Sequence, residues 1–203
     1  MKKIIILCIV FMSFAHGFSY DDILLKTQAS IFPKIMLLDK KLNDKLIDGK
    51  IIYTIVYEKD DYNTALDVNK FIDASYKGDF NGHAYKINLV EFSNLSDETQ
   101  ASAIYALNSR KHIGKVAEIA KQKGIISFSY DTDNLKNGFM FSLAIEKSTI
   151  IYLEKGNLYT KKVDFVNSLL QIVKFTDNST FKDKSLLNFN PELYDRYAGI
   201  FHE

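Results

Sequence analysis

Apolar residues recur along this chain in two rhythms, and the changes of rhythm mark out the elements. From Asp21 to Asp48, Leu24, Ile31, Ile35, Leu38, Leu42 and Leu46 return at spacings of three, four or seven, with Lys34, Asp39, Lys40, Lys41 and Asp44 between them. That spacing predicts one amphipathic helix face. Pro33 lies inside it and is expected to kink or divide the helix, because it lacks the amide that the preceding turn needs. Gly49 ends the element, and Ile51 to Tyr57 is a continuous β-branched and aromatic run, as for a central parallel strand covered on both faces. Asp60 and Asp61 open a second helical pattern through Ala65, Leu66, Val68, Phe71, Ile72 and Tyr76, closed by Gly78. Acidic residues in a first turn suit the helix dipole. Tyr85 to Phe92 alternates like a half-exposed strand, and Ala101 to Leu107 follows as a shorter one after a polar link.

Ser109 then stands as the N-cap of a helix from His112 to Lys123, striped by Ile113, Val116, Ala117, Ile119 and Ala120. Gly124 closes it before a strand from Ile125 to Tyr130. Asp131 to Gly138 is turn-rich, and Phe139 to Ile145 with Thr149 to Leu153 fits a hairpin. Val163, Val166, Leu169, Leu170 and Val173 predict a last helix over Asn157 to Lys174. Strands alternating with helices early and a hairpin late predict an α/β single-domain sandwich with a mixed, mostly parallel sheet flanked by helices. The stretch 176–203 loses all periodicity but keeps Phe181, Leu186, Leu187, Phe189, Leu193, Tyr194, Tyr197 and Phe201, and is expected to pack on the 18–175 domain as a C-terminal arm.

The first 17 residues differ from all of this. Lys2 and Lys3 precede an apolar run from Ile4 to Phe14, and Ala15-His16-Gly17 places small residues where a signal peptidase needs them. The run falls short of the ~20 residues that cross a bilayer, so the segment reads as a cleaved secretory signal peptide, with cleavage near Phe18. Its removal takes away Cys8, the only cysteine, and leaves 186 residues, the 203 less the first 17. A secreted chain without cysteine has no disulfide to staple it, so its stability has to come from a hydrophobic core. In a bacterium this places the protein in the periplasm. The full chain is 47% hydrophobic and 25% charged with a net charge of +1. Losing Lys2 and Lys3 leaves 24 basic against 25 acidic residues, a charge of −1. Such a balance offers no field to draw in nucleic acid.

Catalytic signatures are absent from the sequence. No G-x-S-x-G, G-x-G-x-x-G or G-x-x-x-x-G-K-[ST] occurs, and Gly78 to Gly82 follows a helix where a phosphate loop follows a strand. None of His83, His112 and His202 has a second histidine or a cysteine at helical spacing. The expectation is a protein that is not an enzyme and that holds no cofactor or metal. Two loops are candidates for a ligand crevice, because open α/β sheets bind ligands outside the carboxyl ends of their strands. Glu58, with Asp60 and Asp61, follows the first strand, and Asp131 with Asp133 follows the strand ending at Tyr130. Ser109, Arg110 and His112 join them if the strand before them is parallel to the first. Tyr130, Tyr159, Tyr194 and Tyr197, with Tyr62 and Tyr76, are candidates for a protein interface, where tyrosine is enriched.

The second half of the chain resembles the YfiR/HmsC-like family of periplasmic domains. The stretch 101–175 carries the likeness, through Ser129 to Asp131 at a strand end, Gly138 before the strand Phe139 to Ile145, and the paired Leu169-Leu170. The resemblance implies a periplasmic α/β regulator, often a homodimer, that binds an inner-membrane signalling protein, either a diguanylate cyclase or a sensor kinase, and so bears on cyclic-di-GMP and biofilm control. Two departures matter. The mature chain has no cysteine for the disulfides of some relatives, and Glu154 stands where an asparagine is expected near the end of the hairpin. A periplasmic small-ligand binding protein using the crevice is the alternative.

Overall fold

A computed structural model describes residues 18–159 and 162–176. The expected signal peptide (1–17), all of the expected arm but Thr176, and the candidate interface residues Tyr194 and Tyr197 lie outside the described residues, as does the side chain of Tyr159. Helix α1 (Asp22–Met36) begins at Asp21, whose carboxylate accepts the Leu24 amide at 2.7 Å. Its buried face is Leu25, Ala29, Phe32, Ile35 and Met36; of the predicted stripe only Ile35 belongs to it, and Leu24 and Ile31 are half-buried at its border. The helix expected to reach Asp48 instead stops at Met36, and Pro33 stays inside it. Phe32, Ile35 and Met36 are buried on either side of Pro33, so packing holds the last turn against the loss of one hydrogen bond. Beyond it the chain turns away to form an isolated bridge between Asp39 and Phe165 and a 3₁₀ turn over Leu42–Lys45.

The strands are β1 (Ile51–Tyr57), β2 (Asp79–Phe80), β3 (His83–Glu91), β4 (Ala103–Ala106), β5 (Ile126–Ser129), β6 (Phe141–Ile145), β7 (Thr149–Glu154) and β8 (Val173–Thr176). The further helices are α2 (Tyr62–Tyr76), α3 (Ile113–Lys123) and α4 (Asn167–Ile172). All eight strands form one sheet in the order β2-β3-β1-β4-β5-β6-β7-β8. Only β2 with β3 and β6 with β7 run antiparallel. The fold is the expected α/β sandwich with a mixed, mostly parallel sheet.

The chain goes from β1 through α2 to β3 on one side, then crosses back past β1 to β4 and continues through α3 to β5. Right-handed crossovers in opposite directions put the two helices on opposite faces. The core divides accordingly. Ile51, Tyr53, Ile55 and Tyr105 pack with α1 and α2, whereas Val56, Ile104 and Ala106 pack with Val116, Ala117, Ile119 and Ala120 of α3. Alternate residues of one buried strand thus serve two cores.

The last helix is the main correction. Over the range expected as one helix there is a 3₁₀ turn (Lys155–Tyr159), an extended piece through Phe165, the short α4, and then β8 parallel to β7. Asp39 explains the break: its carboxylate accepts the Asp164 amide at 2.9 Å and pairs with Lys45, which holds the extended piece against the turn after α1. Thr176, expected as the first residue of the arm, belongs to β8. The short β2, also not foreseen, is formed by the turn at Asn81-Gly82, where Gly82 takes φ +93 and its amide bonds the Asp79 carboxylate at 2.6 Å.

Candidate functional site

Strands β1 and β4 are neighbours, parallel, and the point from which the connections diverge. In a sheet of this kind that is where the crevice opens. The loops that follow β1, β4 and β5 therefore meet at one edge, which brings Glu58, Asp61, Asn108, Ser109 and Tyr130 together. Glu58 accepts a hydrogen bond from the Ser109 hydroxyl and lies 3.2 Å from His112 Nδ1. Ser109 Oγ in turn accepts the Lys111 and His112 amides at 3.2 and 2.9 Å, the capping role predicted for it. His112 packs its ring against Phe92, with centroids 6.1 Å apart.

Serine, histidine and glutamate together invite comparison with a nucleophilic triad, but the connectivity is wrong for one. In a triad the base bonds the nucleophile and the acid bonds the base. Here the carboxylate receives both, and no bond joins Ser109 to His112 side chain to side chain. The cluster braces the loop before α3.

The crevice itself is filled by the protein's own chain. Tyr20 donates its hydroxyl to Asp61 Oδ2 at 2.9 Å and accepts the Asn108 amide at 3.1 Å. Its ring meets Tyr130 edge-on, with centroids 4.8 Å apart, and the Asp21 amide donates to the Tyr130 hydroxyl at 2.8 Å. Burial pushes the Tyr20 phenol far above its ordinary pKa, helped by the Asp61 carboxylate beside it. The Asp61 carboxyl is raised in turn, chiefly by burial; the bonds from Tyr20 and from the Phe18 amide oppose the rise, and the charges of Glu58 and Asp60 add to it.

The remaining candidates part company. Arg110 lies over the Phe18 ring, 5.6 Å from its centroid. Asp131 caps the 3₁₀ turn that follows it, accepting the Asp133 amide at 2.9 Å, and exposed Asp133 pairs with Lys136. The link from this loop to the crevice runs through Asn134, which donates to Asn108 at 3.3 Å and to Ser129 at 2.8 Å. Tyr130 is buried against Tyr20, so it is no free interface residue. Tyr76 is likewise half-buried, its hydroxyl bonded to the Ser30 carbonyl. The exposed large apolar side chains at this edge are Ile23 (68% exposed), on the first turn of α1, and Tyr62 (47%), on the first turn of α2. Tyr57 packs on Tyr62, centroids 5.6 Å apart.

Sequence reasoning missed Phe18, Tyr20, Asp21 and Asn108. The signal available was two aromatics in Phe18-Ser19-Tyr20-Asp21, at a point where a mature chain end is usually polar and loose.

No protein-family model matches the chain, and no curated protein matches it in sequence. Among solved structures, the fold is similar to a conserved domain protein from Vibrio cholerae O1 biovar El Tor, with a TM-score of 0.52 and 14% identity over 75% of this chain and 60% of that one. An ABC domain in complex with L-Trp from Streptococcus pneumonia aligns with a TM-score of 0.46 and 10% identity, over 70% of this chain and 60% of that one. The chain spans about 60% of the length of each. At these identities the likeness concerns the fold alone.

Proposed function

We propose that the chain is an exported regulatory module, without catalysis of its own, that binds an inner-membrane signalling protein, a diguanylate cyclase or sensor kinase, through the rim of its carboxyl edge. The observation that favours this reading is Tyr20. It occupies the place where such a sheet takes a small ligand and leaves Ile23, Tyr57 and Tyr62 around it as an apolar and aromatic rim. Aromatic side chains with a polar tip are well suited to a protein partner, since they bury area at low entropic cost. The leader pattern of residues 1–17 and the resemblance of 101–175 to periplasmic regulators point the same way.

The test is affinity capture from detergent-extracted membranes with the chain beginning at Phe18 as bait, alongside cyclic-di-GMP measurement in a strain lacking the gene. Recovery of a cyclase or sensor kinase and a changed cyclic-di-GMP level are expected. Capture of neither, with an unchanged level, contradicts the reading.

A further inference from the structure

Residues 18 to 21 are tied down far more closely than a chain end ordinarily is. The Phe18 amide bonds the Asp61 carboxylate, the Tyr20 hydroxyl bonds the same carboxylate at 2.9 Å, and the Asp21 amide bonds Tyr130 at 2.8 Å. These contacts start at the residue that a peptidase recognising Ala15 and Gly17 would leave first. Asp61 is only 3% exposed. It has Glu58 and Asp60 near enough to raise its pKa, and none of the ion pairs among the described residues includes it. A buried carboxylate beside two others, with no cation, is electrostatically incomplete.

We propose that hydrolysis of the Gly17–Phe18 bond completes it, by turning the Phe18 nitrogen into an α-ammonium that docks on Asp61 and locks the N-terminal segment into the crevice. The hydrolysis consumes one water; Gly17 leaves as a carboxylate and Phe18 keeps a protonated amine where its amide stood. An amide hydrogen bond thereby becomes a charge-assisted ion pair. The proposal rests on the export reading above. The charged and titratable groups on the loops around Asp61 and on the segment itself are Glu58, Asp60 and Asp61 after β1, Arg110 and His112 after β4, Tyr130 and Asp131 after β5, with Tyr20 and Asp21. Arg110 is engaged on the Phe18 ring, and so leaves the carboxylate to the amine.

The experiment compares a chain beginning at Phe18 with one beginning at Ala15, each with and without Asp61→Asn, by thermal unfolding at neutral and alkaline pH. NMR titration of the α-amine accompanies it. An α-amine ordinarily titrates at about 7.7–8.0, and next to the Asp61 carboxylate it is expected to titrate above that range. A base with a raised folded pKa contributes stability that is complete below its ordinary pKa and lost as pH rises through the folded one. For a rise of about one pH unit, the Phe18 chain is expected to melt about 3–5 °C above the Ala15 chain at neutral pH. That difference disappears at alkaline pH and in the Asp61→Asn pair. Equal melting of the two wild-type chains, or an α-amine that titrates normally, overturns the docking. The α-amine titration decides it even if Asp61→Asn fails to fold. Mass spectrometry of the protein from cells separates the two readings: a chain that keeps residues 1–17 overturns the export reading, whereas cleavage at a bond other than Gly17–Phe18 overturns the docking alone.

Discussion

Gln28 is fully buried in α1, and its amide is spent on three partners. Its oxygen accepts the Tyr105 hydroxyl at 2.6 Å, and its nitrogen donates to the carbonyls of Tyr130 and Leu143 at 2.9 and 3.2 Å. One side chain thereby pins the helix to β4, to β6 and to the residue that follows β5. Replacing it with methionine keeps the volume but strands the Tyr105 hydroxyl, and a buried polar group left unpaired costs about 1–3 kcal/mol. Gln28→Met and Tyr105→Phe are each expected to destabilise by roughly that amount, and the double variant by clearly less than their sum. Urea unfolding of the four proteins measures the coupling; simple additivity would disprove the network. Tyr53 is the internal contrast. Its hydroxyl is buried with no hydrogen-bond partner among the described residues, so Tyr53→Phe removes a desolvated group that gains nothing. Its expected effect in the same assay is neutral to stabilising, by up to about 1 kcal/mol, and a loss of stability would mean that the hydroxyl has a partner.

Two tyrosines join neighbouring elements, and they add to the loss of stability at alkaline pH. Tyr76, at the end of α2, bonds the Ser30 carbonyl of α1. Tyr85 of β3 bonds Asp73 of α2 at 2.7 Å and stacks on Phe80 with centroids 3.9 Å apart. Burial pushes both phenols up to about 12, with the bond to Asp73 adding to the effect for Tyr85. A phenol titrates near pH 10 in the unfolded chain, so between about 10 and about 12 the folded protein holds more protons and stability falls as pH rises. Both groups contribute fully below about pH 10. Spectrophotometric titration should find them ionising late, and Tyr76→Phe with Tyr85→Phe should flatten the fall in melting temperature across that window. An unchanged slope contradicts the assignment.

At this same scale most of the architecture was legible. A continuous β-branched and aromatic run marked β1, and helical stripes marked the buried faces of α2 and α3, because burial on one or two faces writes its period directly into the sequence; for α1 the stripe marked the helix but not its buried face. The last element was not legible. Val163, Leu169, Leu170 and Val173 fit a helical stripe, yet they are buried from an extended piece, a short helix and a strand. What decides among these is Asp39, more than a hundred residues earlier. The period-two pattern of Val173-Lys174-Phe175-Thr176 was the only local sign of β8. The site divides in the same way. Glu58, Ser109 and His112 could be placed from strand order alone, whereas Tyr20 reaches Asn108 across 88 residues and no local pattern encodes that contact.

The whole molecule is a doubly wound sheet whose carboxyl edge is closed from within by its own N-terminal segment. A near-neutral chain has little long-range steering, so recognition at that edge depends on shape and apolar burial. Binding is expected on the rim formed by Ile23 and Tyr62, and not at Ile172 on α4, which is comparably exposed at 66%. Capture from membranes with Ile23→Asp/Tyr62→Asp and with Ile172→Asp as baits, both checked for unchanged melting temperature, tests this most directly. The rim variant should lose the signalling protein at least about tenfold, or about 1.4 kcal/mol, while the α4 variant keeps it; equal capture by the two, or loss only with Ile172→Asp, would contradict binding through the rim.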